Sequence, residues 1–159
     1  MTTGSLVSDA LTGLAQPRRR RVPIELIADV PLFAGLSKRH LRRLADLMTE
    51  ARYPDGRAIV QAGQPGTAFF VIVDGAVKVY ASVVPTGRPK ARLRAGDFFG
   101  ELSVLDGGPR TATVVADGEV LTLRLTRSAF VRMVSKEPAV GLGIMAGLAG
   151  RLRKGAATE

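Results

Sequence analysis

Between Ala51 and Leu125 the chain is broken every few residues by glycine, and this punctuation limits the fold more than any other feature. Pro54-Asp55-Gly56 and Gly63-Gln64-Pro65-Gly66 read as turns on either side of a short strand from Ala58 to Gln61. Ala68 to Val73 and Ala76 to Tyr80 flank Asp74-Gly75, the pattern of a two-residue hairpin. Val84 to Pro89 reads as a loop, and Arg92 to Arg94 returns as a strand. Thr111 to Ala116 and Val120 to Leu125 are two further strands around Asp117-Gly118-Glu119. Many short strands with glycine turns predict an antiparallel sandwich or barrel.

Helical patterns flank this region. Ile24 to Val30 is short and amphipathic and ends at Pro31. Ser37 is a good N-cap for a helix whose apolar residues Leu41, Leu44, Ala45, Leu47 and Met48 recur at helical spacing. Thr126 caps a helix running to about Lys136, and Pro138 restarts the chain as a second one. That last helix carries Gly141, Gly143, Gly147 and Gly150, each unfavourable by roughly 1 kcal/mol against alanine. It should therefore form only when packed, and Gly143 and Gly147 have the spacing of a close backbone contact.

The segment Gly96 to Val114 concentrates features that suit an anion. Gly100 admits a close backbone approach. Glu101 to Leu105 has helix-forming character over one turn, whose first N–H groups lack intrahelical partners. Arg110, behind the stiff Pro109, has a planar fork that matches phosphate or carboxylate. Glu101 would repel a phosphate. Two arrangements fit the spacing: Glu101 and Arg110 pair with each other across a loop, or both face a ligand with one phosphate beside sugar hydroxyls.

The motif Phe99-Gly100-Glu101-Leu102-Ser103 followed by Pro109-Arg110-Thr111-Ala112-Thr113-Val114 resembles the phosphate-binding cassette of cyclic nucleotide-binding domains, the family that includes protein kinase A regulatory subunits and the bacterial catabolite activators. Gly63, Phe69 to Val73 and Gly75 to Val79 are similar to that family's glycine-bounded third and fourth strands, and the likeness runs from about Val30 to Arg153. The resemblance implies an α+β fold: an eight-stranded antiparallel β jelly roll with N-terminal helices and two C-terminal helices. It also divides the chain into a basic arm (1–23) and one domain (24–155). Within that domain lie N-terminal helices (24–50), a jelly roll (51–125) with its cassette at 99–112, and hinge and lid helices (126–155).

By the same resemblance, Glu101 accepts the ribose 2′-hydroxyl and Arg110 pairs with the cyclic phosphate. Gly100, Leu102, Ser103 and Ala112 make close or backbone contacts, and Thr111 lies beside the phosphate. Val60, Val73, Val79 and Phe99 are expected as pocket walls. Cyclic AMP is the expected ligand, being the usual one of bacterial relatives, and the Arg-, Ala- and Gly-rich composition reads as bacterial. Thr111 pulls towards cyclic GMP, since threonine there accompanies a guanine preference in the family. The activators' base-contacting threonine falls near Gly155 and has no clear match. The expected mechanism is ordering of the C-terminal lid, which in the activators is also a homodimer interface.

Function classes narrow by what the residues lack. No nucleophile elbow, Walker loop, metal-ligand cluster or catalytic histidine arrangement occurs, and His40 is the single histidine. A non-enzymatic receptor with neither cofactor nor metal is expected. There is no cysteine, no apolar run of membrane-spanning length and no secretory signal pattern, so a cytoplasmic protein is expected. The net charge of +9 sits at the ends: residues 61–125 carry seven basic and six acidic groups, whereas 126–159 carry six and two. Arg18 to Arg21, between Pro17 and Pro23, reads as a solvated basic arm. The chain ends at Glu159 without the activators' DNA-binding helix-turn-helix, so the expected partner is an effector protein. A ligand-free interaction module is the alternative.

Overall fold

The computed structural model describes residues 22–158, with the side chains of Glu101, Leu102 and residues 156–158 outside that description. The arm read at 1–23 therefore falls almost wholly, with Arg18–Arg21, outside the described residues. Helix α1 (Glu25–Ala28) leads into a single 3-10 turn at Pro31–Phe33 and then α2 (Lys38–Leu47). Ser37 caps α2 as its residue type predicts, its hydroxyl accepting the His40 N–H at 3.2 Å.

The strands are β1 (Thr49–Tyr53), β2 (Ala58–Val60), β3 (Ala68–Tyr80), β4 (Ala91–Arg94), β5 (Phe98–Phe99) and β6 (Thr113–Thr126). They form one antiparallel sheet in the order β1-β6-β3-β4, with β2 also on β6 and β5 also on β3. Short α3 (Glu101–Asp106) sits between β5 and β6. The Thr126 hydroxyl accepts the Ala129 N–H at 3.1 Å to start α4 (Arg127–Lys136), and Pro138 starts α5 (Pro138–Thr158).

The eight expected strands run as six. Asp74-Gly75 makes no hairpin, because β3 continues through it and stays paired with β6 on both sides. The register shifts there instead, with Ile72 opposite Thr122 but Ala76 opposite Asp117. Asp117-Gly118-Glu119 is likewise a kink within β6 and not a turn between strands. The two kinks press together: a Cβ on Gly75, whose φ is 96°, would lie 2.5 Å from the Glu119 carbonyl oxygen. Only glycine meets both demands.

The kink also changes which side chains face where. Before it, Ala68, Phe70 and Ile72 point into the roll and Phe69, Val71 and Val73 towards the helices. After it, Val77 and Val79 point into the roll, so the parity has flipped. The helix-facing side packs Phe69, Val71, Leu123 and Leu125 against Ile27, Phe33, Leu44, Phe130, Val140 and Ile144. Each such side chain fully buried contributes about 1.5–3 kcal/mol. Phe33 meets Phe69 edge to face at 5.6 Å between ring centroids.

Helix α5 docks through its glycines. A Cβ on Gly143 would lie 2.6 Å from Leu36 Cδ2 and 2.9 Å from the Gly35 carbonyl oxygen, and one on Gly147 would strike the Leu32 carbonyl oxygen. Backbone therefore lies on backbone, and the glycines unfavourable to an isolated helix allow this one to pack. At the α4–α5 junction Glu137 accepts from Arg39 and Arg43 of α2, with His40 Nε2 at 3.8 Å. Among the described residues no helix is long and apolar enough to cross a membrane, and no group of three His, Asp or Glu could hold a metal.

Candidate functional site

The cassette folds around Gly100. Its φ of 87° is left-handed, and a Cβ there would lie 2.6 Å from Arg110 Nη1 and 2.8 Å from the Ala68 carbonyl oxygen. This close approach brings the two ends of the motif together. Arg110 Nη2 donates to the Ala68 carbonyl at 2.7 Å and Nη1 to the Gly100 carbonyl at 3.4 Å. The backbone of Arg110 is held in turn, donating to the Gln64 carbonyl at 2.8 Å and accepting from the Gly63 N–H at 2.9 Å. Gly66 lets Ser103 of α3 lie directly against this loop, since a Cβ there would overlap the serine side chain.

Gly100, Ser103, Arg110, Thr111 and Ala112 line one cavity of about 240 Å³ together with Val60, Val79 and Phe99. Lys90, Ala91, Leu93, Phe98 and Val114 complete the lining, none of them expected there as a site residue. Alternation along β4 would have placed Ala91 and Leu93 on one face, but no local signal marks Lys90. Val73 is a correction. It packs on the helical core and does not line the cavity, because the β3 kink between it and Val79 turns these two residues of like parity to opposite faces. The side chains of Glu101 and Leu102 lie outside the description.

Arg110 dominates the electrostatics. Its residue is only 8% exposed, yet no carboxylate among the described residues pairs with it. Two of its five N–H donors are taken by neutral carbonyls. Burial, and then the like charge of Arg124, push its pKa down. A buried cation held by carbonyls, beside a cavity and without a carboxylate among the described residues, can accept an anion. The backbone of α5 does not reach this cavity, and none of its described side chains lines it. Arg151 of α5 stacks its guanidinium 4.9 Å above the ring of Phe98, which lines the cavity.

The family model for the cyclic nucleotide-binding domain matches residues 50–137, more than half of the chain. A cAMP-dependent protein kinase regulatory subunit of Aspergillus fumigatus is 37% identical over 117 residues, covering 74% of this chain. The match spans only 28% of that relative's own length. The N-terminal domain of a transcriptional regulator from Streptomyces coelicolor A3(2) superposes with a TM-score of 0.71 at 33% identity, covering 81% of this chain and 93% of that one. The Thermus thermophilus catabolite activator protein gives 0.65 at 31% identity, covering 80% and 61% respectively. The fold, the Gly100–Arg110 arrangement and these matches agree: the chain belongs to the cyclic nucleotide-binding domain family.

Proposed function

We propose that the chain is a non-enzymatic receptor for a cyclic nucleotide, bound in the Arg110 cavity. The observation that carries this reading is the buried Arg110 guanidinium, which lacks a carboxylate among the described residues. In this reading Arg110 pairs with the cyclic phosphate, and Gly100, Ser103 and Ala112 make close contacts. Glu101 accepts the ribose 2′-hydroxyl, Leu102 contributes its backbone, and Val60, Val79 and Phe99 form the walls. Cyclic AMP is the first choice, supported by the cAMP-dependent Aspergillus relative. Thr111, exposed on the cavity lining, favours cyclic GMP as the second reading.

Signalling follows from the two attachments of α5. The helix rests on residues 31–36 through Gly143 and Gly147, and Arg151 touches the cavity rim at Phe98. Ligand that binds better when α5 closes over the cavity shifts the population to that state and alters the surface an effector protein reads. Leu142, Met145 and Leu152 are large apolar side chains exposed on α5, the surface through which two copies would pair. Limited proteolysis near Gly150 should slow with saturating nucleotide, and unchanged cleavage would sink the lid mechanism.

Thermal unfolding with cyclic AMP, cyclic GMP and 5′-AMP tests the receptor reading. At about a hundred times Kd, linkage gives about 2.7 kcal/mol of stabilisation. That corresponds to a midpoint rise of about 5–10 °C for a chain of this size. A rise with one cyclic nucleotide, lost in Arg110→Ala, is expected. No rise with either at millimolar concentration, for a folded protein, overturns the reading.

A further inference from the structure

A second opening of about 680 Å³ lies between the start of β3, the end of β6 and the first turns of α4. Its lining of Thr67, Arg124, Thr126, Arg127, Val131 and Arg132, with Gly66 and Ser128, shares no residue with the cavity at Gly100–Ala112, although Thr67 and Arg124 also line an adjoining opening beside Arg110. Three arginines therefore converge on one groove with three hydroxyl side chains between them.

Six cations elsewhere on the described surface have carboxylates. Arg39 and Arg43 meet Glu137, Arg42 meets Asp46, Arg52 meets Glu119, and Lys78 and Arg92 meet Asp117. The groove differs. No carboxylate lines it, and among the described residues none forms an ion pair with Arg124, Arg127 or Arg132. Arg127 Nε is buried without a hydrogen-bond partner, where its guanidinium packs against Gly107 at the end of α3. Arg124 stands close enough to Arg110 for their like charges to oppose each other, so the groove holds positive potential that the fold itself does not neutralise.

We propose that this groove docks an acidic segment of a partner protein, its carboxylates paired with Arg124, Arg127 and Arg132 and an aliphatic side chain resting on Val131. Charge complementarity names the chemistry, since a planar guanidinium fork can hold one carboxylate by two parallel N–H···O bonds. The volume exceeds what a single small ion fills, and Val131, 41% exposed, gives the segment an apolar contact. A single-stranded nucleic acid fits less well, because no aromatic residue lines the groove to stack a base. The inference stands independently of the nucleotide reading, since docking is measured on the nucleotide-free chain.

Fluorescence anisotropy on the full chain tests it. The probe is a labelled peptide of about ten residues alternating Glu with Leu, compared with the same peptide carrying Gln, at near-physiological salt. The acidic peptide should bind at least about tenfold more tightly. Arg132→Glu, at an exposed position on α4, should weaken it by about tenfold or more. Arg88→Glu makes the same change in net charge on the exposed loop before β4 and should weaken it less than about twofold. Equal loss in both variants means net charge alone attracts the peptide and overturns the site. Absence of binding at millimolar peptide, or tighter binding of an oligouridylate of equal length, also overturns the proposal.

Discussion

Alanine placed at Gly147 and at Gly150 should act with opposite signs on stability, although both sites lie three residues apart in α5. At Gly150 a Cβ would meet nothing within 4 Å, so alanine adds only its helix preference. That gain is about 0.8–1 kcal/mol. At Gly147 the same gain applies, but the Cβ would collide with the Leu32 carbonyl oxygen and lie 2.9 Å from its carbon and 3.0 Å from the Pro31 carbonyl oxygen. All three are backbone atoms, so no side-chain rotation relieves the overlap and α5 must shift as a body. Overpacking of this kind costs about 1–3 kcal/mol. Because the helix preference is common to both variants, the difference between them isolates the clash at about 1–3 kcal/mol, or about 2–10 °C in unfolding midpoint. Urea and thermal unfolding of the two variants side by side measure it. Equal stabilisation in both would refute the backbone-on-backbone docking of α5.

Four further outcomes follow from the same geometry. Thr126→Ala removes the hydroxyl that accepts the Ala129 N–H and should lower stability by about 1 kcal/mol in urea unfolding. Burial raises the Tyr53 pKa, with Arg124 and Arg57 opposing the shift. Its neutral form is therefore favoured in the fold: this contribution is complete below the ordinary tyrosine value of about 10 and is lost as pH rises through the higher folded value. Comparing urea midpoints of Tyr53→Phe and the parent chain across that range should show a smaller alkaline loss in the variant. Gly100→Ala should destabilise by several kcal/mol or prevent folding, since it combines a left-handed φ of 87° with a 2.8 Å approach to the Ala68 carbonyl oxygen. Arg110→Lys should keep the fold and lose nucleotide stabilisation, because a single ammonium cannot hold two carbonyls and grip a phosphate with a planar fork.

Local chemistry was the legible part of this chain. Ser37, Thr126 and Pro138 mark helix starts because capping depends on one or two residues, and all three do so in the fold. The spacing from Gly100 to Arg110 was legible for the same reason, since their contact closes within a single loop. Asp74-Gly75 misled because a hairpin and a bulge both ask for a residue of positive φ. Which one forms is decided by pairing with β6, some forty residues later in the chain. Val73 was misplaced for the same reason: its face depends on that kink. Gly143 and Gly147 announced a close contact but not its partner, the segment 31–36, which lies over a hundred residues away. Arg124 gave no local sign, because its place near Arg110 arises from the sheet.

The central claim is that a cyclic nucleotide binds at the Gly100–Ala112 loop, and backbone amide NMR during titration with cyclic AMP and cyclic GMP tests it most directly. One nucleotide should shift the amides of Gly100, Ser103, Thr111 and Ala112 while Ser128 moves little, and Arg110→Ala should abolish the shifts. Unperturbed amides from Gly100 to Ala112 with both nucleotides at millimolar concentration, or shifts confined to another surface, would contradict it.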